Sequence, residues 1–170
     1  MSVARLVTFG EIMGRISPPG LKRIAQSMPG AVEMTFAGAE ASVAMSVAYL
    51  GGAASFVTAL PAHSVGDAVI ANLRSVGVDT RHIVRTSSGR LGLYFYEKGA
   101  SQRAGNVIYD REGSSVAITP GADYDWSAIF ADAEWFMISG ITPAISRNAT
   151  EVARSAMQAA TEHGVKIACD

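Results

Sequence analysis

Cysteine, histidine and net charge are all scarce in this 170-residue chain. The single cysteine, Cys169, excludes an intrachain disulfide and suits a reducing compartment. His63, His82 and His163 stand apart from one another, so they make no metal-ligand cluster and no metal site is expected. Fourteen basic residues against fifteen acidic ones leave a net charge of −1, and no run of Lys or Arg interleaves with aromatics. That balance argues against nucleic acid as a partner. The N-terminus lacks the basic-then-apolar order of a secretion signal, and the chain reads as cytoplasmic.

Charge is also missing locally. Between Glu40 and Asp67 there is no Asp, Glu, Lys or Arg. Gly51-Gly52 and Pro61 interrupt this stretch, which reads as a buried helix followed by a buried strand rather than a membrane span. The nucleotide-binding signatures G-x-x-x-x-G-K-[ST] and G-x-G-x-x-G do not occur, nor do G-x-S-x-G or H-E-x-x-H. With 49% hydrophobic residues the chain can bury a substantial core.

What is present follows an α/β rhythm. Val3 to Phe9 is an apolar run of a doubly buried strand, ended by Gly10. An alternating strand (Val32, Met34, Phe36) leads through Ala37-Gly38-Ala39 into a helix over 40–50 that is apolar nearly all round, and hence central. Ser55 to Leu60 reads as one strand, and Ser64-Val65-Gly66-Asp67 as a capping box opening a helix that Gly77 stops. A short strand falls near Ile83. Leu91–Glu97 and Asn106–Arg111 alternate as a half-exposed hairpin. Asp125-Trp126 opens a short helix, Glu134–Ser139 is a strand, Ser146–His163 a longer helix, and Val165–Cys169 a last buried strand. This order predicts a mainly parallel sheet with helical crossovers. Because Asp170 falls at the end of a parallel strand, the chain reads as the first part of something longer, with an unpaired edge beyond Cys169.

The candidate site is polar groups on small strands. Tyr94 and Tyr96 project from one strand face, with Leu93 and Phe95 on the other, and Tyr109 and Arg111 share a face of the next strand. Two phenols and a planar guanidinium suit a polyhydroxylated anion. The competing reading is an ordinary exposed strand pair. Gly38 is either a loop whose amides meet a ligand or a tight turn. Glu11, just after the first strand, is either a substrate contact or a helix-end partner.

Thr8-Phe9-Gly10-Glu11, Ala37-Gly38-Ala39-Glu40-Ala41-Ser42-Val43-Ala44 with Leu50-Gly51, and Val65-Gly66-Asp67 together resemble the N-terminal half of the ribokinase-like (phosphofructokinase B) sugar kinases. Gly92-Leu93-Tyr94, Tyr109-Asp110-Arg111-Glu112-Gly113-Ser114 and Ser139-Gly140-Ile141-Thr142-Pro143-Ala144 look most like the 2-keto-3-deoxygluconate kinases. The resemblance implies one three-layer α/β/α domain over 1–170, with lid strands around 14–18, 31–37, 91–97 and 105–111 that often pair into a homodimer. It implies a substrate site of Gly38, Ala39, Ser42, Tyr94, Tyr109, Arg111 and Glu11, in which Gly38 meets sugar hydroxyls and Tyr94, Tyr109 and Arg111 hold a sugar acid. The chain departs from the family pattern at Ala37, Ser42 and Pro61. The resemblance further implies ATP and Mg²⁺ as co-substrates, with the catalytic base and nucleotide site outside these 170 residues. Two alternatives stay open: a kinase for a neutral sugar such as fructose or ribose, and a non-catalytic sugar-binding or dimerisation module.

Overall fold

Arg5–Phe9 forms the opening strand, β1, in the computed structural model, which describes residues 5–170. Val3, where the sequence reading begins this strand, lies outside the described residues. The further strands are β2 (Met13–Ser17), β3 (Glu33–Ala37), β4 (Ala53–Val57), β5 (Ala59–Pro61), β6 (Val84–Thr86), β7 (Leu93–Glu97), β8 (Asn106–Asp110), β9 (Trp135–Ile138) and β10 (Lys166–Cys169). The helices are α1 (Ile24–Ser27), α2 (Ala39–Tyr49), α3 (Ser64–Ser75), α4 (Ser115–Ile118), α5 (Trp126–Phe130), α6 (Ile141–Ala144) and α7 (Arg147–Glu162).

The main sheet is parallel, in the order β10-β9-β1-β4. Successive residues of a strand point to opposite faces, so each apolar strand feeds two cores. Val7, Phe9, Val57, Phe136 and Ile138 pack on one side with Trp126, Phe130 and the α7 residues Val152, Ala153 and Ala156. Phe56 and Ala54 pack on the other with Ala41 and Ala44 of α2 and Val69 and Leu73 of α3. Phe9 meets Tyr124 and Trp126 edge-on at 5.5 and 5.4 Å. Burying each such ring is worth roughly 1.5–3 kcal/mol. This is the mixed α/β fold that the element order predicts.

A second sheet, in the order β3-β2-β7-β8, stands beside the first. The chain passes from β1 to β2 through Gly10, Glu11 and Ile12 alone, and returns from β3 to α2 through Gly38 alone. These short crossings hold the two sheets close.

Four local expectations are corrected. The expected strand over 55–60 is two: β4 stays with β1, and after Thr58 the chain changes partner so that β5 pairs with β6. Both partners demand apolar residues, so periodicity carries no mark of the change. The capping box at Ser64 does not form; the His63 side chain accepts the Val65 N–H at 3.3 Å, and the Asp67 carboxylate turns to Arg85 at 2.7 Å. A guanidinium is the stronger partner for a carboxylate. Helix α2 is not central throughout: its alanine face is buried, while Tyr49 and Leu50 are 81% and 83% exposed. Small residues permit close approach to the sheet, and that turns the larger ones outward. Finally, among the described residues β10 pairs with β9 alone, in line with the unpaired edge expected beyond Cys169, but Lys166, Ile167 and Cys169 are exposed rather than buried.

Candidate functional site

Glu11 lies where the two sheets meet, with a glycine on either side. Gly38 is extended at φ −169°, a conformation open to any residue, so it is close approach that requires glycine there. A Cβ on Gly38 would lie 2.1 Å from the Glu11 carbonyl oxygen, and one on Gly92 would lie 2.5 Å from Glu11 Oε1. Glu11 itself is 5% exposed. Its Oε2 accepts from Arg111 Nε at 2.8 Å and also from Arg111 Nη2, while Oε1 has no hydrogen-bond partner among the described residues. The pair ties the end of β8 to the end of β1.

Glu40 does a parallel task for the next loop. Its Oε1 accepts from the Ser139 N–H at 3.0 Å, Ser139 Oγ at 2.6 Å and Thr142 Oγ1 at 2.6 Å, and its carbonyl accepts from Thr8 Oγ1 at 3.0 Å. All four residues are buried. A Cβ on Gly10 would collide with this carboxylate, 2.3 Å from its Cδ. Glu40 thereby fixes the turn from β9 into α6 against the start of α2. Glu40 is not among the site residues the sequence points to; its signal there is a lone carboxylate heading a stretch without charge.

Above these two carboxylates opens a cleft of about 460 Å³, a size that suits a small molecule. Six of the seven predicted site residues line it: Gly38, Ala39, Ser42, Tyr94, Tyr109 and Arg111. Glu11, the seventh, is buried behind Arg111 and does not line it. The N-cap of α2, Gly38, brings no side-chain acceptor to the helix entrance, so the first-turn amides are left without a side-chain cap. Opposite them runs a cross-strand row, Thr35, Arg15, Tyr94, Tyr109, set by the register of β3, β2, β7 and β8. The Tyr94 and Tyr109 rings lie 5.9 Å apart, and the Arg111 guanidinium lies 5.6 Å from the Tyr109 ring centre. Burial raises the Tyr94 hydroxyl above its ordinary pKa, opposed by the neighbouring Arg15. The phenol is therefore a neutral donor and acceptor at physiological pH.

Tyr96, placed by the sequence on the same strand face as Tyr94, also lines the cleft, as do Arg15, Met13, Val107 and Ile141, which the sequence does not single out as site residues. Val107 is legible as the i−2 neighbour of Tyr109 on the same strand face. Arg15 is not, because only the parallel pairing of β2 with β7 brings it beside Tyr94. Among the described residues no three of His, Cys, Asp and Glu gather as a metal-binding group, and no helix is long and apolar enough to cross a membrane.

Residues 3–170 match the family model described as pfkB family carbohydrate kinase. A curated relative, 2-dehydro-3-deoxygalactonokinase of Haloferax volcanii, is 40% identical over 167 residues, which are 98% of this chain and 51% of that protein. The crystal structure of 2-dehydro-3-deoxygluconokinase from Thermotoga maritima superposes with a TM-score of 0.94 at 44% identity, over 98% of this chain and 50% of that one. A fructokinase from Xylella fastidiosa solved with bound ATP gives 0.84 at 26% identity, over 98% and 48%. The chain thus spans about half the length of the relatives it matches. A family match over nearly every residue, on a fold with the same parallel sheet and the same small second sheet, leaves one assignment: the chain belongs to the pfkB family of carbohydrate kinases.

Proposed function

We propose that this chain is the substrate-binding part of a kinase that transfers the γ-phosphate of ATP to a hydroxyl of 2-keto-3-deoxygluconate or a close sugar acid. The observation that carries the reading is the row of Arg15, Tyr94 and Tyr109 facing Gly38 and Ser42 across a cleft of ligand size. Phenols supply hydroxyl contacts with few rotatable bonds, and guanidinium supplies a fork for carboxylate oxygens. In this reading the Gly38 and Ala39 amides meet sugar hydroxyls, while Tyr94, Tyr109 and Arg111 hold the ketodeoxy acid. Arg111 gives two of its five N–H groups to Glu11 and keeps three for the ligand.

The cleft does not fit a magnesium nucleotide. No carboxylate lines it, since Glu11 is bonded to Arg111 and Glu40 to Ser139 and Thr142. ATP, Mg²⁺ and the catalytic base are therefore assigned to parts of the protein other than these residues, and no chemical step is routed through this chain alone. A second reading, a neutral-sugar kinase, draws on the cancelled charge of Arg111. The protein is proposed to work in the cytoplasm, where ATP is available.

A homodimer through the second sheet belongs to the same proposal. The face turned away from the cleft carries a row of apolar residues, Met34, Ile16, Phe95 and Ile108. Met34 and Ile108 are 46% and 51% exposed. An apolar stripe along a four-stranded sheet is an efficient isologous contact.

Calorimetric titration of the protein expressed from its whole coding region, alongside ADP release with ATP and Mg²⁺, tests the reading. Heat and turnover with 2-keto-3-deoxygluconate are expected. Turnover with fructose or ribose at full rate and none with the acid would overturn it.

A further inference from the structure

Helix α3 and the segment that follows it border a second cavity, of about 490 Å³, which shares no residue with the cleft. Its place follows from the path of the chain. Asp79 bridges in parallel to Ser55 on the edge of β4 away from β1, and β6 then pairs with β5. Bonds from Arg74 to Thr80 and from Arg85 to Asp67 fasten this segment along α3. Asp67, Ile70 and Arg74 line the cavity from the helix at spacings of three and four residues, which is one helical face. Thr80, Arg81, Ile83 and Arg85 line it from the segment. Three arginines there face one aspartate, so the lining is cationic although the chain as a whole carries −1.

The three guanidinium groups are not equivalent. Arg85 Nη1 bonds to Asp67 Oδ1 at 2.7 Å, and its Nη2 donates to the Pro61 and His63 carbonyls at 3.1 and 3.4 Å, so Arg85 closes the wall and cancels the aspartate. Arg74 has no carboxylate within ion-pair distance among the described residues. Its Nε donates at 2.7 Å to Oγ1 of Thr80, a buried residue. Arg81 Nε donates to Asp79 Oδ2 at 2.8 Å, but that oxygen also takes Arg5 Nη2 at 2.6 Å, so one carboxylate serves two arginines. Arg74 and Arg81 each spend the Nε–H on an anchor, which leaves the terminal nitrogens as the groups a ligand meets. Two planar forks held in this way match the oxygens of a phosphoryl group. Ile70 and Ile83 add apolar surface for a carbon chain. Among the described residues no aromatic lines the cavity, so it has no platform on which a nucleobase would stack.

We propose that this cavity is a second ligand site, taking a small phosphate monoester of a sugar or sugar acid, with the phosphoryl group between Arg74 and Arg81 and the carbon chain over Ile70 and Ile83. A phosphate monoester carries about −1.5 to −2 at neutral pH, which matches the charge of the two arginines that Asp67 does not cancel. The site stands apart from the cleft and does not depend on which sugar the cleft takes.

The test titrates glucose 6-phosphate, glucose and inorganic phosphate calorimetrically into the protein expressed from its whole coding region, as wild type, R74Q, R74K, R81Q and Y94F, with circular dichroism checking the fold of each. R74Q and R81Q are each expected to weaken glucose 6-phosphate about ten-fold or more while leaving any heat from glucose unchanged, and R74K to recover part of the loss. Y94F, which alters the cleft, should bind the ester within about two-fold of wild type. Inorganic phosphate should bind about ten-fold more weakly than the ester, and added salt should weaken both. If R74Q and R81Q bind the ester within about two-fold of wild type, or Y94F loses it, the ester sits in the cleft or elsewhere in the protein and the proposal falls. If inorganic phosphate binds as tightly as the ester, a site for a phosphate monoester is refuted. Turnover of 2-keto-3-deoxygluconate without added ester, expected unchanged in R74Q and R81Q, reads the sugar-acid proposal separately, so either can fail without the other.

Discussion

Glu11 and Arg111, a hundred residues apart in sequence, are bonded twice through one carboxylate oxygen at the junction of the two sheets. Removing the arginine strands a carboxylate in a nearly dry site, and such a loss typically costs about 3 kcal/mol. R111A should therefore unfold at lower urea by about that amount, and E11Q/R111Q, which removes both charges, should recover much of it. Equilibrium unfolding by fluorescence of Trp126 and Trp135 reads the difference. Equal stability of R111A and wild type would show that the pair contributes nothing to holding the sheets together.

Glu40 offers a sharper contrast between two variants at one position. E40A leaves the Ser139 N–H and the Ser139 and Thr142 hydroxyls without their acceptor, a loss on the order of 3 kcal/mol. E40Q keeps an amide oxygen in place and should lose about 1 kcal/mol. G10A should resemble E40A, because its Cβ falls on the carboxylate. Thermal melts of the three variants check the order, and a melt of G10A at the wild-type temperature would refute the close approach.

Tyr124 carries a buried hydroxyl with no hydrogen-bond partner among the described residues, and burial pushes its pKa well up. Replacing it with Phe removes an unsatisfied polar atom and keeps the ring against Phe9 and Trp126. Y124F should be more stable by about 1 kcal/mol. Denaturant titration showing destabilisation instead would mean that the hydroxyl has a partner.

Glu97 gives a pH dependence with a definite sign. Its carboxylate accepts from the Ile24 N–H at 2.8 Å and from Arg23 at 2.7 Å, and these bonds, the first above all, lower its pKa below the ordinary 4.5. A group whose pKa is depressed on folding stabilises the fold above its unfolded value and loses that contribution as pH falls through its folded one. The packing of α1 on β7 should loosen below pH 4.5. Amide exchange of Ile24 against pH should show this, and the same acid-side change in E97Q as in wild type would assign it elsewhere.

The apolar row on the outer face of the second sheet gives a test of assembly. M34E/I108E places two carboxylates on the exposed part of that row, and light scattering should read a shift from dimer to monomer with the cleft residues untouched. An unchanged mass would move the contact elsewhere or remove it.

Much of the fold was legible because local patterns report local geometry. Apolar runs bounded by glycine marked the parallel strands, Asp125 and Ser146 cap the helices where they were placed, with side chains accepting at 3.0 and 2.9 Å, and strict alternation around Tyr94 and Tyr109 marked the hairpin. Gly38, Tyr94, Tyr109 and Arg111, which line the cleft, follow from a glycine turn and two alternating strands, whereas Ala39 and Ser42 enter only through the family resemblance.

What periodicity could not report is which partner a side chain meets across the sheets. The amino-acid order alone determined the α/β alternation, the two-faced strands and the polar row of the hairpin, since these follow from side-chain period and turn chemistry within a few residues. Tertiary structure decided that Arg111 is neutralised by Glu11, that Glu40 holds the turn after β9, that β4 ends at Val57, and that Arg15 stands beside Tyr94. Each of these depends on strand order and register, which bring together residues that no local pattern relates.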